Sequence, residues 1–239
     1  MRRLLYLIKR VYRSLFVSSQ MHAIGDSHVD VFWDMEFSPL YFWWAKIKIK
    51  VVHGATPTGL ENPNSKTKAK ENFKEYIQNE VRKNDIVVFQ LGEVDCGFAI
   101  WYRSKKHNLS VEDQVNMALN NYMALVQLAE DKEAKVFVCS TVLPTIQDNQ
   151  NMGEVANLRK EIDVSLKERT ELTLNFNEKI ALLLKNKSTT FLNFDDLLLD
   201  KKTKLVKTIF LNKDPNNHHL DHSSYSKIIN SVFKIFVKK

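Results

Sequence analysis

The sequence predicts a three-layer α/β/α sandwich on a central, mostly parallel sheet. Three observations carry this. Short strand patterns alternate with helical ones along the chain. Two of the strand segments, 85–91 (DIVVFQL) and 135–140 (KVFVCS), are almost continuously apolar, as strands covered on both faces must be. The unusual polar sequence falls where strands end, which is where open parallel sheets bind ligands.

Taken in order, residues 1–18 form a basic amphipathic helix and 19–239 the main domain. An apolar run at 21–24 ends in Gly25-Asp26-Ser27-His28, a strand entering a tight turn, and 29–37 starts a helix. Residues 46–52 alternate Lys and Ile as a strand does. A loop rich in Gly, Pro, Thr and Asn occupies 53–67, long enough to suggest function. Phe73, Tyr76, Ile77 and Val81 give helical periodicity over 69–83. After the strand at 85–91 comes Gly92-Glu93-Val94-Asp95. Ser110 with Asp113 resembles a capping box opening a helix to about residue 132. After the strand at 135–140 a long helical stretch covers 153–187, with a break expected near 170–175. A short strand follows at 189–194, then a strand or extended connection at 205–211. The closing helix is 223–237, its apolar side formed by Ile228, Ile229, Val232, Phe233 and Phe236.

With 239 residues, 44% of them hydrophobic, the chain can bury one large core, and six Gly and five Pro exclude collagen-like or low-complexity sequence. Net charge is +7, but Arg2, Arg3, Lys9, Arg10 and Arg13 gather a large part of the excess before the first acid. No nucleic-acid partner is therefore expected. In the helix at 1–16, Leu4, Leu5, Ile8, Tyr12, Leu15 and Phe16 fall towards one side with basic residues around them. Such a helix lies on an anionic membrane surface or packs on its own domain; its apolar run is too short for a signal peptide or a membrane span. Cys96 and Cys139 form no disulfide framework, and each falls in or beside apolar sequence. A cytoplasmic, membrane-peripheral location is the expectation, with no cofactor.

Ser27, on a turn between strand and helix, can expose its hydroxyl where backbone N–H groups favour an anion. Read blandly, it caps a helix. A hydroxyl nucleophile needs a base, and His218, His219 and His222 lie ahead of the last helix with Asp214 and Asp221 nearby. His218 and His222 have metal-ligand spacing, but only a partial ligand set is visible and no metal is assigned. The aromatics Tyr41, Phe42, Trp43 and Trp44 suit a sugar platform or plain packing. There is no G-x-S-x-G elbow. Gly54 and Gly59 have P-loop spacing, but Leu60-Glu61 follows in place of Lys-Ser/Thr.

These blocks together resemble the SGNH (GDSL-like) hydrolase superfamily. Gly25-Asp26-Ser27-His28 is similar to its first block, Gly54 stands where its oxyanion glycine lies, with Gly59 as the second choice, Gly92-Glu93-Val94-Asp95 resembles Gly-x-Asn-Asp, and His219-Leu220 with Tyr225 resembles its last block. The resemblance implies a flavodoxin-like fold and an acyl-ester chemistry: Ser27 as nucleophile, His219 as base with His222 as the alternative, and the amides of Ser27 and Gly54 in the oxyanion hole. The family places an acid three residues before the histidine; here that residue is Asn216, so Asp214 is the expected orienting acid. Val94 replaces the asparagine that donates to the oxyanion, and Glu93 and Asp95 become candidates for binding sugar hydroxyls. The expectation is a serine esterase or O-acyltransferase acting on an acylated small molecule or glycan. The alternative is a weak or inactive glycan-binding module on the same fold.

Overall fold

The computed structural model describes residues 1–148 and 162–237. Five parallel strands form one sheet in the order β2-β1-β3-β4-β5: β1 (Gln20–Gly25), β2 (Lys46–Val51), β3 (Ile86–Gln90), β4 (Lys135–Cys139) and β5 (Thr190–Leu192). Every pairing is parallel. The predicted three-layer parallel α/β architecture is thus observed, with the flavodoxin-like strand order.

Side-chain alternation along the strands builds two cores. On β3, Val87 and Phe89 face one core and Ile86 and Val88 the other. The first core is covered by α3 (Ala69–Glu80), α5 (Val111–Glu130) and α6 (Leu166–Leu184), through Phe73, Tyr122 and Phe176 among others. Ile100, which opens α4 (Ile100–His107), joins them there. The second is covered by α2 (Val31–Phe37) and α8 (His222–Val237), through Phe32, Met35, Tyr225, Ile229 and Phe233. A short helix, α7 (Asp195–Leu198), lies between β5 and α8. Helix α1 (Arg2–Phe16) contributes to neither core.

Most expected elements are found within a few residues, and the exceptions have local causes. Residues 149–161 lie outside the described residues, so the first part of the helix expected over 153–187 is not described. Helix α6 begins at Leu166 under a full capping box: the Ser165 hydroxyl accepts from the Glu168 N–H, and the Glu168 carboxylate accepts from the Ser165 N–H. It runs unbroken through 170–175, against the expected break. Its polar residues there are satisfied: Thr170 and Thr173 donate to carbonyls one turn back, and Arg169 donates to Ile146 O and Asp148. Asn177 accepts from Thr141 N–H and donates to Thr141 O, standing in for a strand neighbour beyond β4. Residues 205–211, expected as a strand or extended connection, instead carry a 3-10 turn at Thr208–Phe210 between two isolated bridges, Leu199 to Val206 and Leu211 to Leu220. Helix α4, not foreseen, follows a wide turn of helix at Asp95–Ala99.

The glycine at the end of β1 is required by packing. A Cβ on Gly25 would lie 2.0 Å from the carbonyl oxygen of Gln90 on β3. That contact sets the close approach of β1 and β3, the point at which the strand order switches direction.

Candidate active site

Asp26 caps the short turn Ser27–Asp30 that leads into α2, its Oδ1 accepting from the His28 N–H at 2.9 Å and lying 3.0 Å from His28 Nδ1. This places Ser27 beyond the carboxyl end of β1, at the switch point. Across it, the loop before α8 delivers His219. Two ties hold that loop: the Leu211–Leu220 bridge and a hydrogen bond from the Thr145 hydroxyl to the His218 carbonyl.

His219 Nε2 stands 2.8 Å from Ser27 Oγ. Its other ring nitrogen, Nδ1, is 2.9 Å from Asn217 Oδ1, and the same oxygen accepts the His219 backbone N–H at 3.0 Å. A backbone N–H can only donate, so the amide atom facing it is the oxygen. Nδ1 must then carry the ring proton, and Nε2 presents its lone pair to the serine O–H. The tautomer needed for general-base chemistry is thus fixed by the chain itself.

The imidazole is a weak base. Burial, then the adjacent His28 and His218, lower its pKa to about 3, and Glu93 opposes this only in part. The rings of His28 and His218 lie 4.8 and 4.2 Å from that of His219, centroid to centroid.

Asp214 is not the orienting residue. Its carboxylate turns back to accept from Asn216 N–H at 2.9 Å, and Asn217 occupies Nδ1 of His219. His222 does not meet Ser27 either. Placed at the start of α8, it pairs with Asp34 of α2 at 2.6 Å and ties the two helices together. Gly54 comes to the same sheet edge as Ser27. Val52 N–H donates to Gly25 O at 3.0 Å, carrying the β1–β2 ladder towards the turn, and Gly54 adopts φ +69° just beyond. Val94 directly precedes Asp95–Ala99 and brings no side-chain donor.

Glu93 and Asp95 were expected to bind hydroxyls. Glu93 is buried but acts electrostatically on His219. Asp95 is wholly buried and structural: its Oδ1 accepts from Thr58 N–H at 2.9 Å, pinning the loop after β2. Burial raises its pKa to about 7. A carboxyl that stays protonated in the fold but ionises near 4 when unfolded stabilises at low pH, and that stability is lost as pH rises from about 4 through 7. Asparagine cannot titrate. The melting temperature of Asp95→Asn relative to wild type should therefore rise by roughly 5 °C or more between pH 5 and pH 8. A difference independent of pH in thermal melts would show that Asp95 is ionised throughout.

Cys96 and Cys139 are buried free thiols, and burial raises the pKa of both, so neither is a nucleophile. Phe42 packs on Trp44 and Phe233, and Trp43 donates to Pro39 O; this aromatic run is packing.

Among the described residues, His28, His218 and His219 each offer a ring nitrogen within 4.8 Å of the others. An ion held by all three would take Nε2 or Nδ1 of His219, and so would break the bond to Ser27 or to Asn217. Zinc should therefore inhibit any Ser27-dependent reaction. Chelation should restore it, and His218→Ala should blunt the effect. Zinc activation in a titration would refute this.

A serine–histidine pair thus stands at the carboxyl edge of a parallel sheet with the flavodoxin-like strand order. The fold is SGNH hydrolase-like. The chain is similar in structure to a GDSL-like lipase from Bacteroides thetaiotaomicron, with a TM-score of 0.55 and 14% identity over 98% of this chain and 97% of that one. It is similar to a candidate acylhydrolase from Bacteroides fragilis, with a TM-score of 0.55 and 12% identity over 86% of that protein and 92% of this chain. A candidate arylesterase from Agrobacterium tumefaciens gives a TM-score of 0.52 at 12% identity, over 92% of this chain and 98% of that one. No family model and no curated protein matches the chain in sequence.

Proposed function

We propose that the chain is a serine esterase or O-acyltransferase working through an acyl-enzyme on Ser27. The observation that carries this reading is the 2.8 Å contact of Ser27 Oγ with an Nε2 whose lone pair is free to accept. In the proposed cycle Ser27 Oγ attacks the ester carbonyl and its proton passes to His219 Nε2. The tetrahedral adduct collapses, and the departing alkoxide takes that proton to leave as the alcohol. Water, or an acceptor hydroxyl, then repeats the sequence in reverse sense and frees Ser27. The amides of Ser27 and Gly54 are the proposed oxyanion donors. Lipase, acylhydrolase and arylesterase are the activities attached to the structural neighbours, which supports ester chemistry.

The proposed substrate is a short acyl ester of a carbohydrate. The half-buried His218 ring lies beside the reacting pair, a hydrogen-bonding group suited to a polyhydroxylated alcohol. The test is incubation with acetylated sugars, scored for free acetate and for transferred acetyl, beside labelling of Ser27 by a serine-reactive phosphonate. Neither product and no label would sink the proposal. Val94 and the low basicity of His219 favour a second reading, a glycan-binding module with little turnover. That reading predicts saturable glycan binding that survives Ser27→Ala.

A further inference from the structure

Helix α1 is attached to the domain the wrong way round for a helix that packs by its apolar face. Its two buried residues are both cations, Lys9 and Arg13. Lys9 Nζ donates to the carbonyls of Met35, Glu36 and Ser38 at 3.3, 3.0 and 2.8 Å. These are carbonyls at the end of α2, where a helix has orphan acceptors and attracts positive charge. Arg13 pairs with Glu36 at 2.8 Å, and the same Glu36 oxygen accepts the Ile47 N–H of β2 at 3.0 Å.

The apolar face is left in solvent. Leu4, Leu7, Ile8, Val11, Leu15 and Phe16 are all exposed, Leu15 and Phe16 by 69% and 72%. At 3.6 residues per turn, Leu4, Leu7, Ile8, Val11 and Leu15 fall within an arc of about 100°. Aromatic side chains flank the helix. Tyr6 meets Phe37, itself stacked on Trp33, and Tyr12 meets Trp43, at centroid distances of 6.0, 6.1 and 5.9 Å. Trp33 and Phe37 are exposed too. An exposed apolar arc of this kind marks an interaction surface.

Charge selects the occupant. Arg2, Arg3 and Arg10 are exposed on the same helix, and no Asp or Glu occurs before Asp26. A second copy would bring these cations against their own kind. An anionic lipid surface takes both features: acyl chains receive the leucine arc, headgroups receive the arginines, and tyrosine and tryptophan sit at the boundary as they do in interfacial belts. Among the described residues no helix is long and apolar enough to cross a membrane, so the helix would lie in the plane of the interface.

We propose that the exposed apolar face of α1 docks the protein onto anionic bilayers while Lys9 and Arg13 hold the helix on the domain. The proposal does not depend on the Ser27 chemistry. It is tested by co-sedimentation of the full chain with phosphatidylcholine vesicles, with and without phosphatidylglycerol, for wild type, Ser27→Ala and the pair Val11→Asp/Leu15→Asp. These two side chains point away from the domain, so an unchanged circular dichroism melt checks that the variant is folded. Wild type and Ser27→Ala should bind anionic vesicles about tenfold or more tightly than neutral ones, and the double variant should lose that binding. Binding that survives in the double variant would reduce the effect to net charge and overturn the proposal. So would an absence of vesicle binding, or a dimer in light scattering that the double variant abolishes.

Discussion

Ser27→Ala is expected to reduce p-nitrophenyl acetate hydrolysis to background, and His219→Ala to lower kcat/KM by about 10²–10⁴-fold. Among the described residues, Ser27 contributes the only hydroxyl at Nε2 of His219, and removing one oxygen from a half-buried turn leaves the fold intact. His222→Ala and Asp214→Ala should stay within about twofold of wild type. The first loses an exposed pair with Asp34, and such pairs contribute little. The second loses a local turn contact. The pattern separates His219 from His222, which the sequence kept as its alternative. Loss of activity in His222→Ala with His219→Ala unaffected would reverse the assignment. Equal silence of all variants and wild type towards this ester and towards acetylated sugars would leave the glycan-binding reading in possession of the site.

The periodic parts of the molecule were legible and the contextual parts were not. Strands β3 and β4 declare themselves because a strand covered on both faces must be apolar throughout, and Ser110 and Asp113 marked the start of α5. The same signal, Ser165 with Glu168, stood unread inside an apparently continuous helical pattern and would have placed the start of α6. At the site, counting back from His219 directed attention to positions 216 and 214. What places a side chain on Nδ1 is a local turn: an Asx residue two positions ahead of a histidine accepts its backbone N–H and is thereby brought against its ring. The chain does this twice, with Asp26 to His28 and Asn217 to His219. Burial of Asp95 could not be read, because a charged residue predicts exposure until a partner such as Thr58 N–H is known. Nor could the mounting of α1. A helical wheel shows that one side is apolar; it does not show which side meets the domain, and here the free carbonyls at the end of α2 take the Lys9 ammonium.

If the site runs the proposed ester chemistry, Asn217→Asp should speed it. The amide oxygen at this position accepts two hydrogen bonds, from the backbone N–H and from Nδ1–H of His219, so a carboxylate keeps both while adding negative charge beside the ring. The native base is held near pKa 3 by burial and by its neighbouring imidazoles. It is neutral across the working range but accepts a proton from serine reluctantly, and general-base efficiency rises as the pKa approaches ambient pH. A carboxylate on Nδ1 stabilises the imidazolium that forms as Ser27 attacks, so kcat at neutral pH should rise about 10- to 100-fold. The sign of the pH effect follows from the same group. The base acts when deprotonated, so activity falls as pH drops through its pKa. In wild type that limb lies near pH 3, and in Asn217→Asp it moves upward, because a carboxylate beside the ring favours the imidazolium. A pH–rate profile with the acid limb shifted upward and a higher plateau distinguishes this from a structural effect, which would change the plateau without moving the limb. Asn217→Ala gives the converse. With Nδ1 unpartnered the tautomer is no longer enforced, and the rate should fall although no charge has been removed. If Asn217→Asp instead lowers the rate with an unmoved limb, the basicity of His219 is not what limits this site, and the missing donor at Val94 becomes the element to restore.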